Sequence, residues 1–186
     1  MSLPFYTIGH SNRSLETFIE LLRGVDVRLL ADIRKMAMSR ANPQFNREDL
    51  SAALARSQIS YEHMTALAGL RGKARQVAPE VNAFWTNRSF HNYADYALSQ
   101  QFQEGLSHLL HEGRHRCCAV MCAESVWWRC HRRIVADYLI GAGETVFHIM
   151  DGGRLEPAIL SSGARPQADG SIVYPALHAE GSTTIR

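Results

Sequence analysis

The sequence predicts one α/β domain: a three-layer, Rossmann-like fold in which helices cover both faces of a mostly parallel central sheet. Short β-prone runs alternate with amphipathic, helix-like stretches along most of the chain, which is the order of βαβ units. One run, residues 25–33, is apolar almost throughout, as in a strand that helices cover on both sides. A length of 186 residues, with 46% hydrophobic and 20% charged residues, fits a single globular domain.

The first βαβ unit occupies the amino-terminal residues. Phe5–Gly9 is β-prone and is followed by turn-forming residues. Apolar residues then recur with helical spacing at Leu15, Phe18, Ile19 and Leu22. Ser14 is placed to cap the start of this helix and Gly24 to end it, so the apolar run 25–33 supplies the second strand.

A loop, a helix and a strand follow. The polar residues 34–43 predict a loop. Asn46 is a good N-cap for a helix that runs to about Arg56. Residues 59–64 then have the composition of a third strand.

The second half of the predicted domain begins with a loop rich in glycine and basic residues, 69–77. A long helical region comes next, which breaks near Asn87 and closes near Gly113. The remaining elements are a strand at residues 117–123, a helix at 130–140 and a strand at 145–150.

Residues 1–150 therefore form the predicted domain. Residues 151–186 are rich in Gly, Pro and Ser and predict an irregular extension packed on the domain or trailing from it, with only 172–174 resembling a strand. No apolar run is long enough to cross a bilayer, and the amino terminus lacks a secretory pattern. We expect a cytoplasmic protein with no membrane partner, whose four clustered cysteines are thiols.

The predicted fold also indicates where a ligand binds, because open parallel sheets bind ligands at the carboxyl ends of their strands. The reactive side chains that follow the predicted strands are His10, Ser11, Asp32, Arg34, His63, Cys122, Glu124 and Asp151. A formal net charge of +2 argues against wholesale wrapping of nucleic acid, whereas local clusters of arginine favour a site for a small anion.

The segment from Arg129 to Arg133 is the strongest local feature. A helix amino terminus offers free N–H groups and a partial positive charge, so Arg129 and Arg132 would complete an anion-binding site there. The same field favours a thiolate at Cys130, with His131 as its base or as a general acid. The alternative is a structural cysteine beside arginines that face solvent.

Cys122 and Glu124 follow the same buried strand and point to the same side if extended geometry persists. Cys122 is then a second candidate nucleophile and Glu124 an acid–base candidate. The structural alternatives are a small apolar residue at Cys122 and an ion pair between Glu124 and Arg129 or Arg132.

The spacing of the thiols bears on two further hypotheses. Seven residues separate Cys122 from the adjacent pair Cys130 and His131, which is not the pattern of a zinc site, so we predict no metal and no cofactor. A disulfide between Cys122 and Cys130, acting as a redox switch, remains open.

A cysteine at a strand end followed by an arginine at a helix start also suggests thiol-dependent phosphatases and rhodaneses. Phosphatases of that kind place five residues between the two, whereas Cys122 and Arg129 enclose six, including the bulky Trp127 and Trp128. These tryptophans either stack on a base or sugar or pack over an edge of the core.

Two short motifs near the amino terminus could form the opposite wall of the site. His10 and Ser11 follow the first strand, and His10 is a further acid–base candidate. Asp32 and Arg34 follow the second strand as an ion pair that either binds a ligand or braces a loop.

Together these pieces resemble the family called domain of unknown function 488. The resemblance spans residues 6–149 and rests on four ordered motifs: Thr7-Ile8-Gly9-His10-Ser11, Asp32-Ile33-Arg34, Tyr61 with Leu67-Ala68-Gly69-Leu70, and Cys122-Ala123-Glu124 with Cys130-His131-Arg132. The family pattern has two glycines where this chain has Ala68-Gly69, and often a histidine where it has Leu155-Glu156-Pro157. The resemblance implies no reaction.

Three interpretations of function remain open at this point. The preferred one is an enzyme, or a ligand-binding domain descended from one, that acts on a small anionic, phosphate- or nucleotide-like ligand. In it His10, Glu124 and His131 are acid–base candidates, Cys130 or Cys122 the thiol nucleophile, and the list of ligand-binding residues is Ser11, Asp32, Arg34, Arg129 and Arg132. The others are a nucleic-acid-associated binding protein without catalysis, and phosphatase-like, rhodanese-like or redox chemistry at a thiol.

Overall fold

The structure, a computed structural model, describes residues 3–177 and confirms the predicted fold class. Its central sheet has six strands in the order β3-β2-β4-β1-β5-β6. Their bounds are Phe5–Gly9 (β1), Leu29–Asp32 (β2), Ser60–His63 (β3), Cys118–Cys122 (β4), Val146–Ile149 (β5) and Leu155–Pro157 (β6). The first five are parallel to one another, and β6 runs antiparallel to β5.

Five helices cover the sheet: Leu15–Arg23 (α1), Arg47–Arg56 (α2), Arg88–Ala97 (α3), Gln100–Gly113 (α4) and Arg132–Gly141 (α5). One buried cluster includes Phe18 of α1 and Leu50 of α2, and a second, on the other face, includes Tyr93, Phe102 and Ile134 from α3, α4 and α5. Because apolar stripes of helices pack on both faces of an apolar sheet, the domain has three layers.

Side-chain caps account for several helix starts. The Ser14 hydroxyl accepts a hydrogen bond from Thr17 N, as the sequence predicts. The predicted break near Asn87 is the start of α3, where the Asn87 side chain accepts from two backbone N–H groups. Asn46 does precede α2, but its side-chain oxygen accepts from Ser39 N at 2.8 Å and so stabilises the preceding loop.

The observed elements differ from the predicted ones mainly at their ends. Strand β2 is shorter than the apolar run, because the chain turns at residues 24–26, where Asp26 has a φ of 55°, and the strand begins only at Leu29. The long helical region contains a second break, at Leu98 and Ser99, where Ser99 caps α4. Helix α5 begins at Arg132, two residues later than predicted.

The chain after β5 is more ordered than its composition predicts. Besides β6 it forms a two-stranded ribbon, Arg165–Pro166 (β7) with Ile172–Val173 (β8). Tyr174 is fully buried, and its hydroxyl donates to the Asp137 carboxylate of α5 at 2.9 Å. The last part of the predicted extension, residues 178–186, lies outside the described residues.

Strand order decides which predicted site residues meet. Strand β4 lies between β1 and β2, with Cys122 opposite Gly9 and Met121 opposite Asp32. The carboxyl ends of these three strands therefore form one edge. Within residues 3–177, no helix combines the length and apolar composition needed to span a membrane.

Candidate functional site

A pocket of about 490 Å³ opens at this edge. Six residues singled out by the sequence line it: Arg34, Cys122, Glu124, Arg129, Cys130 and His131. They come from the ends of β2 and β4 and from the segment before α5, so the fold brings together positions that are almost 100 residues apart in sequence. The pocket is therefore the candidate functional site.

Cys122 and Cys130 both line the pocket and bring two sulfurs together there. Cys122 is the last residue of β4 and Cys130 precedes α5, and the Cys130 thiol donates a hydrogen bond to Cys122 Sγ across 2.7 Å. The two side chains are only 2% and 4% exposed. Both cysteines are free thiols, as are Cys117 and Cys118.

Arg132 supplies the charge beside these thiols. Its Nη1 donates to Cys122 Sγ at 2.6 Å. Burial disfavours a thiolate, but the Cys130 hydrogen bond and the Arg132 guanidinium outweigh burial and lower the pKa of Cys122 to about 7. Burial and the neighbouring Cys122 sulfur raise the pKa of Cys130, so Cys122 is the more acidic of the two thiols.

Arg132 is 1% exposed, and backbone carbonyls hold it in place. Its Nη1 and Nη2 donate to the carbonyl oxygens of Glu124 and Ser125, at 2.6 and 3.0 Å. Gly9 allows this loop to pack against β1, since a Cβ atom at Gly9 would lie 1.7 Å from the Glu124 oxygen. Among the ion pairs of residues 3–177, none joins Glu124 to Arg132 or Arg129.

His131 lies on the far side of Cys130. Its Nε2 is 3.0 Å from the Ile33 carbonyl oxygen and so carries the proton, while its Nδ1 is 3.6 Å from Cys130 Sγ. Burial, with a contribution from Arg132, lowers the pKa of His131 to about 4. The imidazole is therefore neutral at pH 7. A Cβ atom at Gly69 would lie 2.7 Å from its Nδ1, so Gly69 leaves room for the ring.

The other predicted wall of the site is a closed network around Asp32. Arg34 Nε and Nη2 donate to the Asp32 carboxylate at 2.9 and 2.7 Å, and the Tyr61 hydroxyl donates to it at 2.6 Å. Arg34 Nη1 is 3.3 Å from His10 Nε2, and His10 Nδ1 bonds the Ser11 carbonyl. Asp32 and His10 are buried behind Arg34 and do not line the pocket.

Three other residues at the strand ends have partners of their own. The Ser11 hydroxyl donates to the Asn12 side chain. His63 Nε2 donates to the Arg34 carbonyl at 2.8 Å. The Asp151 carboxylate pairs with Arg13. None of the three lines the pocket.

The sequence did not identify the remaining residues of the pocket. They are Lys35, Met36, Met38, Gly69, Leu70, Ser89, Phe90, Tyr93 and Ala123. Most belong to the loop after β2 and to the first turns of α3, and no motif marks those, whereas Gly69, Leu70 and Ala123 lie within the motifs of the family resemblance. For Lys35, Met36 and Met38 the available signal was their place in the loop 34–43, because loops after strands of a parallel sheet line its ligand site.

The tryptophan pair is divided between two environments. Trp127 stacks on His148, with ring centroids 4.5 Å apart and planes inclined by 9°, so this ring packs over the edge of the core. Trp128 is 46% exposed. Within residues 3–177, no group of three or more His, Cys, Asp or Glu side chains is arranged to hold a metal ion.

Comparison with known proteins gives one result. The family model described as "Domain of unknown function DUF488" matches residues 14–139, a stretch that contains α1 to α4, the thiol pair and Arg132. No curated protein and no solved structure matches the chain significantly.

Proposed function

The chain belongs to the DUF488 family, and from the site that this member carries we propose that it is a thiol-dependent enzyme whose Cys122 thiolate attacks a small anionic ligand. The observation that carries the proposal is that Cys122 lines a pocket while its Sγ lies 2.7 Å from a second thiol and 2.6 Å from a guanidinium.

Cys122 meets the requirements of a nucleophile. The thiolate is the reactive form of cysteine, and an attacking thiol is most effective when its pKa is near ambient pH. With a pKa of about 7, about half of Cys122 is ionised at neutral pH. By contrast, burial raises the pKa of Cys117 and Cys118 to about 11 and 12, as for inert structural cysteines.

The walls of the pocket favour a ligand with an apolar body and an anionic group. Met36, Leu70 and Phe90 supply apolar surface. Lys35 and Arg129 are exposed on the pocket lining, and neither belongs to an ion pair among residues 3–177. These two cations would therefore hold the anionic group.

The contacts of the two buried arginines change their proposed roles. The Nε and Nη2 donors of Arg34 bond Asp32 and the Phe45 carbonyl, and its Nη1 lies 3.3 Å from His10 Nε2, so its main role is to hold this network together. Arg132 bonds two carbonyls and the Cys122 sulfur, so its role is to activate the thiol. Of the five sequence-predicted ligand-binding residues, Arg129 has the geometry to contact an anion directly.

The other interpretations receive less support. A phosphatase-like cradle presents backbone N–H groups to a phosphate. Here the loop after Cys122 turns the carbonyls of Glu124 and Ser125 inward, toward Arg132. Nucleic-acid stacking would need free aromatic faces; Trp127 stacks on His148, which leaves the exposed Trp128 as the one member of the pair open to a base.

The pH dependence of alkylation tests the nucleophile. We expect iodoacetamide to modify Cys122 at a rate that rises with pH and reaches half its plateau near pH 7, with the site located by mass spectrometry. Cys118→Ser, a matched change at the start of β4, leaves this profile unaltered. A half-plateau at pH 8.5 or above, the value of an ordinary thiol, would contradict the proposal.

Two alkylating agents of different charge test the ligand class. Iodoacetate and iodoacetamide react by the same displacement, but only iodoacetate carries a carboxylate. Lys35 and Arg129 should increase the rate of alkylation by iodoacetate relative to that by iodoacetamide at low salt. K35A/R129A should reduce this iodoacetate-to-iodoacetamide ratio several-fold without moving the pH midpoint of alkylation. An unchanged ratio in the double variant would show that Lys35 and Arg129 do not bind the anionic group.

A further inference from the structure

We propose that Cys122 and Cys130 act as one dithiol that reduces a small anionic disulfide, with His131 as the base for Cys130. This inference rests on the proposed nucleophile and adds the substrate class, the second thiol and the proton acceptor. It starts from two sulfurs 2.7 Å apart on separate segments, both of which line the pocket.

The position of Cys130 restricts the chemistry. An acyl or phosphoryl intermediate on Cys122 is released by water and needs no second thiol. A sulfur-linked intermediate is released by another thiol, which attacks the sulfur through thiol–disulfide exchange. Cys130 Sγ already lies against the atom that it would attack, so the arrangement favours a substrate that leaves a mixed disulfide on Cys122.

The reaction balances in two steps. The Cys122 thiolate attacks one sulfur of the substrate disulfide, the sulfur–sulfur bond breaks, and the first thiolate leaves and takes a proton from solvent. Cys130 then attacks Cys122 Sγ while its proton passes by way of His131 Nδ1 to the second substrate thiolate, which leaves as the thiol. The substrate gains two electrons, the protein loses two, and a Cys122–Cys130 disulfide forms. A cellular dithiol, or dithiothreitol in vitro, restores the dithiol.

The geometry of His131 suits the second step. Its Nε2 proton is committed to the Ile33 carbonyl, so Nδ1 presents a lone pair to the Cys130 thiol at 3.6 Å. Before the reaction, the Cys130 proton lies on the hydrogen bond to the Cys122 thiolate. Formation of the mixed disulfide removes that negative charge, and His131 Nδ1 becomes the nearest acceptor for the proton.

The pocket surface favours an aromatic, carboxylate-bearing disulfide, because apolar walls line it together with Lys35 and Arg129, which join no ion pair among the described residues. Dithiobis(nitrobenzoate) has both features and releases a coloured thiolate at each step. With one equivalent of this probe, we expect the wild-type chain to release two thiolates and to lose the mass of two hydrogens. Cys118→Ser, the matched control, should behave in the same way.

The variants separate the two steps. Cys130→Ser should release one thiolate and retain a stable mixed disulfide on Cys122. His131→Gln keeps a donor for the Ile33 carbonyl and removes Nδ1, so it should slow the second release at least tenfold and leave the first unchanged. Equal slowing of both releases would overturn the assignment of the base.

The outcomes also separate this inference from the proposed function. If the wild-type chain stops at a mixed disulfide on Cys122 while alkylation still has its midpoint near pH 7, the dithiol mechanism is wrong but the assignment of Cys122 as the nucleophile holds. If Cys122 forms no mixed disulfide and alkylates like an ordinary thiol, both fail.

Discussion

The ends of the neighbouring strands β2 and β4 each hold a buried arginine, but the two are neutralised in different ways. Arg34 faces the Asp32 carboxylate, which accepts from three of its donor groups and from Tyr61. Arg132 faces two carbonyls and a thiol, and within residues 3–177 no carboxylate pairs with it. A buried charge needs a counter-charge, and beside Arg132 the Cys122 thiolate provides it.

The histidines beside each arginine reflect this difference. Burial lowers the pKa of His10, and there the charges of Arg34 and Asp32 act in opposite directions. Burial and Arg132 together lower the pKa of His148 to about 3. At the β2 end the charges of Asp32 and Arg34 thus offset each other, whereas at the β4 end the charge of Arg132 favours any negative charge that forms in the pocket.

The largest expected effect is a loss of stability when the counter-charge at the β2 end is removed. Asp32→Asn leaves Arg34 buried without a carboxylate and should lower the free energy of unfolding by about 3–5 kcal/mol in urea titrations at pH 7.5. Tyr61→Phe, which removes one donor to the same carboxylate, should cost about 1 kcal/mol. The alkylation midpoint of Cys122 should not move in D32N. A shifted midpoint would show that the two strand ends are coupled.

The fold was largely predictable because its signals are local. Helical periodicity, the Ser14 cap and the apolar composition of β2 and β4 depend only on neighbours in sequence. Strand β6 was missed because it has three residues, one of them proline, and owes its place to pairing with β5. Pairing of a short edge strand with its neighbour leaves no periodic pattern in the sequence.

The candidate site was predictable in its location but not in its roles. The sequence correctly brings Cys122, Cys130 and His131 to one edge, since strand ends converge there. From the sequence, the position of Cys130 at a helix start predicted that Cys130 is the thiolate. In the structure the Arg132 guanidinium instead bonds Cys122 and lowers the pKa of that thiol. That choice depends on how the loop after β4 turns its carbonyls, which only the folded chain reveals.

A smaller effect should appear in the pH dependence of stability. The folded pKa of His148, about 3, lies below the unfolded value of 6.5, so the unfolded chain binds the extra proton. Stability is therefore full above pH 6.5 and falls as pH decreases, by about 1.4 kcal/mol per pH unit for this residue. Between pH 6.5 and 5, His148→Asn should reduce the total loss by about 2 kcal/mol in urea titrations. If the free energy of unfolding falls with pH equally in the wild-type chain and in H148N, the pKa of His148 is not lowered by folding.

The smallest effect is kinetic and confined to the β4 end. A Cβ atom at Gly69 would lie 2.7 Å from His131 Nδ1, so Gly69→Ala displaces the ring from Cys130. We expect the second thiolate release from dithiobis(nitrobenzoate) to slow about tenfold, which is about 1.4 kcal/mol, and the first release to be unchanged. Gly72→Ala is the matched control, since a Cβ atom there meets nothing within 4 Å. If G69A and G72A behave alike, the position of the imidazole does not limit the closure of the disulfide, and the contrast between the strand ends reduces to the charge of Arg132 alone.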